Sequence, residues 1–151
     1  MNLHYNQNYT KAEINIILDK IKKCVVNNKY TIALNENRQE NIDFINEYNI
    51  RGNKQKNILL RLEVEDFCHT LQNTKIGYEY EVLYVFVPQV KLFNAEGEEK
   101  IVDVYTKFNI LELPSGSKTV VISFHERKKL LITYLDRKMK EVFYEREKSI
   151  L

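Results

Sequence analysis

The chain has 151 residues, of which 44% are hydrophobic and 29% charged, so it has the composition of one globular domain and not of a disordered chain. Its 23 Lys and Arg residues nearly balance 21 Asp and Glu residues, and a net charge of +2 excludes a strongly basic nucleic-acid-binding protein, though not a local basic patch. Cys24 and Cys68 are far apart, which argues against a disulfide framework and a zinc ribbon. The N-terminus is polar and no apolar run approaches the roughly 18 residues of a membrane span, so we expect a cytoplasmic protein with no membrane partner.

The first fifty residues indicate two helices. Thr10 and Glu13 form a capping-box pattern at the start of the first helix, and an asparagine pair ends it. Its apolar positions recur at spacings of three and four residues: Ile14, Ile17, Leu18, Ile21, Cys24 and Val25. Residues 30–34 predict a short strand, and residues 36–48 predict the second helix.

The rest of the chain is dominated by predicted strands. Residues 57–62 predict a strand and residues 64–71 a short helix. β-Branched and aromatic residues predict a strand over 80–90, and the clearest alternation of apolar and polar residues predicts another over 100–113. A Pro-Ser-Gly-Ser turn then returns the chain as a strand over 118–126.

This order of elements predicts the α+β class, with N-terminal helices packed on one face of a mainly antiparallel sheet and a C-terminal helix. We divide the single domain into a helical part (10–50), a sheet core (57–128) and a C-terminal helix (136–150). That last helix carries an apolar stripe: Leu135, Met139, Val142 and Phe143. The stripe would dock on the chain's own core, on a second copy in a homodimer, or on a partner protein.

The last two strands predict a cluster of polar side chains. A hairpin centred on Ser115 places Tyr105 opposite His125 and Lys107 opposite Ser123, with the Cβ atoms of each pair about 5 Å apart. Both pairs would lie on the polar face of the sheet, and further cations follow His125 along the chain: Arg127, Lys128 and Lys129.

These residue types suit RNA cleavage without a metal or other cofactor. An imidazole gives or takes a proton near neutral pH, a phenol donates a hydrogen bond to an anion, and a lysine supplies positive charge. Cleavage requires the 2′-hydroxyl to lose a proton, the 5′-oxygen to gain one and the phosphate to be stabilised. We therefore predict that four residues bind the substrate: Lys107, Ser123, Arg127 and Lys128.

Other interpretations of the same residues remain open. A histidine beside a tyrosine is more often a structural hydrogen bond than a catalyst, and the same face would also serve a non-catalytic RNA- or protein-binding module. Cys68 would be a nucleophile with His125 as its base. Glu79 and Glu81 would form a carboxylate pair on one strand face, and the histidines His4, His69 and His125 would hold a metal, although no ligand spacing supports it.

Three segments together resemble the MqsR-like type II toxins, relatives of the RelE/BECR-fold toxin ribonucleases. NILLRLEVEDFCHTL resembles the strand-then-helix segment of that family, VDVYTKFNI its Val-Tyr-x-Lys strand, and VVISFHE its closing strand. Their order and spacing agree with the family over roughly residues 57–128, about half of the chain.

The resemblance implies an endoribonuclease that cleaves mRNA and is held inactive by a cognate antitoxin protein. It assigns catalytic roles to Tyr105, to His125 and, on the helix of the first segment, to His69. The two histidines stand where the best-known member has lysines, a change that keeps a cation-capable group with a pKa nearer neutrality. A histidine pair can act as base and acid, but the resemblance does not say which does which.

Overall fold

The computed structural model describes residues 5–127, so Lys128 and the predicted C-terminal helix lie outside the described residues. This part has the α+β architecture that the sequence predicts, with three α-helices and a mostly antiparallel sheet of seven strands. The helices are α1 (Lys11–Val26), α2 (Gln39–Glu47) and α3 (Asn53–Leu60). The strands are β1 (Tyr5–Asn6), β2 (Tyr30–Ile32), β3 (Phe67–Gln72), β4 (Val82–Phe86), β5 (Gln89–Phe93), β6 (Glu99–Leu113) and β7 (Gly116–Glu126).

Helix α1 begins and ends where the sequence indicates. The Thr10 hydroxyl accepts a hydrogen bond from the Glu13 amide at 3.1 Å, and the Glu13 carboxylate accepts one from the Thr10 amide at 2.9 Å. These bonds satisfy two backbone donors of the first turn and hold the pKa of Glu13 below its usual value. Asn28 ends the helix with a positive φ of 58°, which asparagine tolerates better than most residues.

Two predictions for residues 57–71 are wrong, because this segment is a helix followed by a strand. Residues 57–62 form the end of α3 and the turn after it, where the buried residues Ile58, Leu59 and Leu62 share one helical face. A short apolar run fits a strand or a helix equally well, and packing against α1 favours the helix here. Residues 64–71 form a 3₁₀ turn (Val64–Asp66) and then β3. The first of the three segments that resemble the toxin family therefore has its two elements in the opposite order.

The strand predicted over 80–90 is divided into β4 and β5 at Pro88, which lacks the N–H that would continue a ladder. Both strands then pair with the same edge of the long strand β6. The strand order is β1-β3-β4-β6-β7-β2, with β5 also on β6, and among the described strands only the β2–β7 pair is parallel.

The core lies between the helices and one face of this sheet. Four buried phenylalanines run across that face, in edge-to-face contact from Phe67 through Phe86 to Phe108, and Phe124 meets Phe44 of α2. Aromatic pairs in this geometry add about 0.5–1.5 kcal/mol each beyond the burial of their area. The predicted helical layer on one sheet face is thus present. The opposite face carries polar side chains beside a smaller buried cluster of Cys68, Val85 and Val87.

A β-bulge in β7 decides which residues reach the polar face. Between Lys107, which pairs with Ser123, and Phe108, which pairs with Val121, strand β7 has one extra residue, Ile122. Because side chains alternate with a period of two, an extra residue exchanges the two faces for everything beyond it. Phe124 therefore points into the core, and His125 points to the polar face.

Asn41 of α2 holds this bulge in place. Its side-chain amide donates to the carbonyls of Ala33 and Ile122 at 2.9 and 3.0 Å and accepts from the Phe124 amide at 2.8 Å. The buried amide thus satisfies backbone groups of β7 beyond the end of its pairing with β2. A second bulge, at Cys68 in β3, separates Phe67 in the core from His69 on the polar face.

We expect Asn41→Ala to lower the free energy of unfolding by about 2–4 kcal/mol, because it removes the side-chain partner of the buried Phe124 amide and of two part-buried carbonyls. Urea denaturation measures this change, and Glu47→Ala, at an exposed position of the same helix, is the matched control. Equal stabilities of the two variants would contradict the role of Asn41.

Candidate functional site

The predicted pairing of Tyr105 with His125 is confirmed. The two residues are opposed in the β6–β7 ladder, and their rings stack with centroids 5.3 Å apart and planes inclined by 19°. Lys107 and Ser123 form the next pair on the same face. These four residues, here called the polar-face cluster, lie on the side of the sheet opposite the phenylalanine core.

A backbone carbonyl selects the tautomer of the neutral His125 ring. Its Nδ1 lies 2.9 Å from the carbonyl oxygen of Glu126 and 3.5 Å from a carboxylate oxygen of Glu40 in α2. A carbonyl only accepts hydrogen bonds, so Nδ1 carries the proton, and Nε2 of the neutral ring has a lone pair for a base. Within residues 5–127, the structure gives Nε2 no hydrogen-bond partner. The side chain is 19% exposed, and Glu40 is placed to stabilise the imidazolium that forms on protonation.

Tyr105 keeps its proton over the whole physiological range. Burial raises the pKa of its phenol to about 12, with smaller contributions in the same direction from Tyr5 and Cys68, and Arg38 opposes them. Removing a phenol from water disfavours the phenolate. Tyr105 therefore acts as a hydrogen-bond donor and not as a base.

Lys107 and Arg38 form a pair of cations on this face. Burial lowers the pKa of Lys107, and the nearby guanidinium of Arg38 lowers it further. Among the described residues, no carboxylate lies within 4.0 Å of either side chain's charged nitrogens. Two neighbouring half-buried cations without a counter-charge are unfavourable in the free protein, and an anion between them would relieve the repulsion.

Arg38 is a site residue that the sequence does not reveal. It ends the 3₁₀ turn (Glu36–Arg38) that leads into α2, and the docking of α2 on β7 by Asn41 brings it to the cluster. Nothing local distinguishes it from the other basic residues of the first fifty. Its only signal is its position three residues before a buried asparagine, which becomes meaningful once the fold is known.

The other predicted substrate-binding residues contribute less charge. Ser123 is buried, with 3% of its surface exposed. Arg127 makes a 2.5 Å ion pair with Asp103, so its charge is compensated within the protein. Lys128 lies outside the described residues.

His69 lies on the same face but apart from the polar-face cluster. It is opposite Val85 of β4, which in turn is opposite Lys107, so two strand spacings of roughly 5 Å separate it from Lys107. The ring is 2% exposed and stacks under Tyr5, with centroids 4.2 Å apart and planes inclined by 10°. A ligand on this face would touch His69 only if Tyr5 moved.

His4 lies outside the described residues, and within them the alternative sites gain no support. Cys68 is fully buried, which argues against a reactive thiol. Glu79 and Glu81 lie in the loop before β4, where Glu79 accepts from the Gly77 amide and Glu81 binds the side chains of Asn73 and Asn109. Among residues 5–127, no three His, Cys, Asp or Glu side chains are grouped to hold a metal ion, and none of the described helices has the length and apolarity to cross a membrane.

Comparisons with known proteins give no assignment: no family model, curated protein or solved structure matches this chain.

We expect Lys107→Met to stabilise the free protein by about 1 kcal/mol or less, because it removes a half-buried charge beside Arg38 while water already screens part of the repulsion. Thermal denaturation measures the gain. Lys118→Met, about 13 Å further along the same sheet, is the matched control because it removes a lysine outside the cluster. A loss of stability specific to Lys107→Met would show that the cation is compensated in the free protein.

Proposed function

We propose that the polar-face cluster, together with Arg38, binds an RNA phosphodiester and cleaves it by acid–base chemistry. The observation that carries this proposal is the pair Lys107 and Arg38, which has no carboxylate within 4.0 Å among the described residues and lies next to the stacked rings of Tyr105 and His125. A phosphate carries the charge that the two cations lack, and an imidazole within the same cluster supplies a proton acceptor near neutral pH.

Each residue then has a role that follows from its surroundings. His125 Nε2 takes the proton of the 2′-hydroxyl, whose oxygen attacks the phosphorus and forms the O2′–P bond. Tyr105 and Arg38 donate hydrogen bonds to the non-bridging oxygens as negative charge develops there. Lys107 gives a proton to the 5′-oxygen as the P–O5′ bond breaks. The products are a 2′,3′-cyclic phosphate and a 5′-hydroxyl.

The lowered pKa of Lys107 suits an acid in this reaction. An ordinary lysine holds its proton too tightly for efficient transfer near neutral pH, and burial beside Arg38 weakens that hold. His69 is covered by Tyr5, and we assign it no contact with the phosphate.

The resemblance of the VDVYTKFNI and VVISFHE segments to MqsR-like toxins supports roles for Tyr105 and His125 in RNA cleavage, and it extends the proposal. On that basis we propose that the chain is the toxin of a type II toxin–antitoxin system, that its substrate is mRNA, and that a cognate antitoxin restrains it in the cytoplasm. Growth arrest on expression, relieved by co-expression of the neighbouring gene, tests this wider proposal separately from the chemistry.

We expect the purified protein to cleave a single-stranded RNA oligonucleotide in the presence of a chelator. His125→Ala should lower the rate by about 10²–10⁴-fold and Tyr105→Phe by about tenfold to a hundredfold. Mass spectrometry of the 3′ products should find the cyclic phosphate, and Lys118→Ala, on the same sheet but outside the cluster, should cleave like the wild type.

Wild-type rates in His125→Ala would refute the mechanism. An absence of cleavage by the wild type, with RNA binding that survives His125→Ala and weakens with salt, would instead establish the non-catalytic binding module.

The pH dependence gives a further test. Lys107 must be protonated to act as the acid, so the rate should fall as pH rises through its pKa, which lies below the usual 10.5. Arg38→Ala removes a neighbouring cation, so it should raise the pKa of Lys107 and move this alkaline limb to higher pH, besides lowering the rate. Arg51→Ala, an exposed position next to Gly52, is the control. An alkaline limb at the same pH in wild type and Arg38→Ala would exclude Lys107 as the acid.

A further inference from the structure

Strand β5 has an open edge. It pairs with β6 on one side, and in the described part of the chain no strand pairs with its other side. The Val104 amide donates to the Pro88 carbonyl at 2.9 Å, and the Asn94 amide donates to the Glu98 carbonyl at 3.0 Å. In an antiparallel ladder the bonded residues alternate, so the even-numbered residues of β5 bond to β6. The N–H and C=O groups of Gln89, Lys91 and Phe93 therefore point away from β6, towards the open edge.

A groove runs beside this edge on the helical side of the sheet. Its cavity of about 550 Å³ lies between β5, α3 and the 3₁₀ turn Val64–Asp66, and its floor has apolar parts from Ile58, Leu60 and Leu92. Lys22, Lys54 and Arg61 also line it. An added strand would project alternate side chains into this groove, while its backbone bonded to β5.

The charges in the groove favour an acidic occupant. The groove is lined by two carboxylates, Glu63 and Asp66, and by the three cations named above. Lys91 on the strand itself is paired with Glu99 at 3.1 Å. Burial raises the pKa of Asp66 to about 6, which reduces its negative charge when the pH falls towards that value. The groove therefore carries an excess of positive charge over an apolar floor.

We propose that the open edge of β5 binds an extended segment of a partner protein, with acidic residues at the alternate positions that enter the groove, as an additional strand of the sheet. Main-chain hydrogen bonds supply affinity in this mode, and the side chains that enter the groove supply specificity. A second copy of the chain is a poor occupant, because a symmetric β5–β5 pair would bring the same cations together. The surface is separate from the polar-face cluster, so it is tested independently of RNA cleavage.

The probe is a synthetic, acetylated ten-residue peptide that alternates glutamate and valine, compared with one that alternates lysine and valine. Amide hydrogen exchange of the full-length protein, followed by NMR, is the readout. We expect the glutamate peptide to slow exchange at the Gln89, Lys91 and Phe93 amides at least about tenfold, as new hydrogen bonds form there. The lysine peptide should give no protection.

Two variants isolate the backbone contribution. Lys91→Pro removes an outward-pointing N–H without removing a bond to β6, whereas Lys91→Ala removes the same side chain and keeps the N–H. We expect Lys91→Pro to bind the glutamate peptide at least about tenfold more weakly than Lys91→Ala. If Lys91→Pro disturbs the sheet, the wild-type protein is tested with a glutamate peptide that is N-methylated at alternate residues. This peptide lacks N–H groups that would bond to β5, so it should no longer slow amide exchange in the wild type.

Three results would overturn the proposal. The glutamate peptide leaves the exchange rates of these amides unchanged, or the lysine peptide slows them equally. The third result is that exchange without peptide becomes slower as the protein concentration rises. The last result would identify a second copy of the chain as the occupant.

Discussion

The hydrogen bonds of Asn41 to β7 determine which residues join Tyr105 and Lys107 in the candidate site. Pro114 and Ser115 form a two-residue turn, so without a bulge the hairpin would pair Tyr105 with Phe124. His125 would then enter the core, and the Phe124 ring would lie on the polar face. The extra residue Ile122 corrects this, and Asn41 satisfies backbone groups of Ile122 and Phe124 that lie beyond the end of the β2–β7 pairing. Because Asn41 belongs to α2, the same bonds bring Arg38 and Glu40 to the cluster. One buried amide therefore holds both the register of β7 and the charged side chains beside the cluster.

The sequence predicts the pairs of this hairpin correctly because the turn is one residue shorter than predicted and the bulge adds one residue back. A three-residue turn centred on Ser115 gives the same pairs at Tyr105 and Lys107 as the observed two-residue turn followed by a bulge. The long alternation of β6 is strong enough to define its faces without knowledge of the turn, and the capping box of α1 is equally local. Features that depend on a few neighbouring residues are therefore predicted correctly.

Features that depend on distant partners are not predicted correctly from the sequence. Residues 57–62 are apolar enough for either type of element, and only contact with α1 selects the helix. The bulge at Cys68 hides the period of two in β3, so the segment does not alternate as a strand should, and His69 reaches the polar face only because of it. Arg38 belongs to the site through a helix that docks by way of Asn41, 83 residues before its partner Phe124. Such relations are absent from any local window of the sequence.

The two cations of the site explain why its stability and its proposed chemistry conflict. A fold selected only for stability would pair Lys107 with a carboxylate or replace it with an apolar residue, since a half-buried charge beside another of the same sign is unfavourable. A carboxylate would, however, occupy the position that a phosphate needs, and it would raise the pKa of Lys107 and weaken it as an acid. Asp103 neutralises Arg127 at the margin, whereas in the described residues no such partner stands beside Lys107. The carboxylates near the cluster therefore face His125 and Arg127, and none of those described lies within 4.0 Å of Lys107 or Arg38, which is the distribution expected where the missing negative charge comes from a ligand.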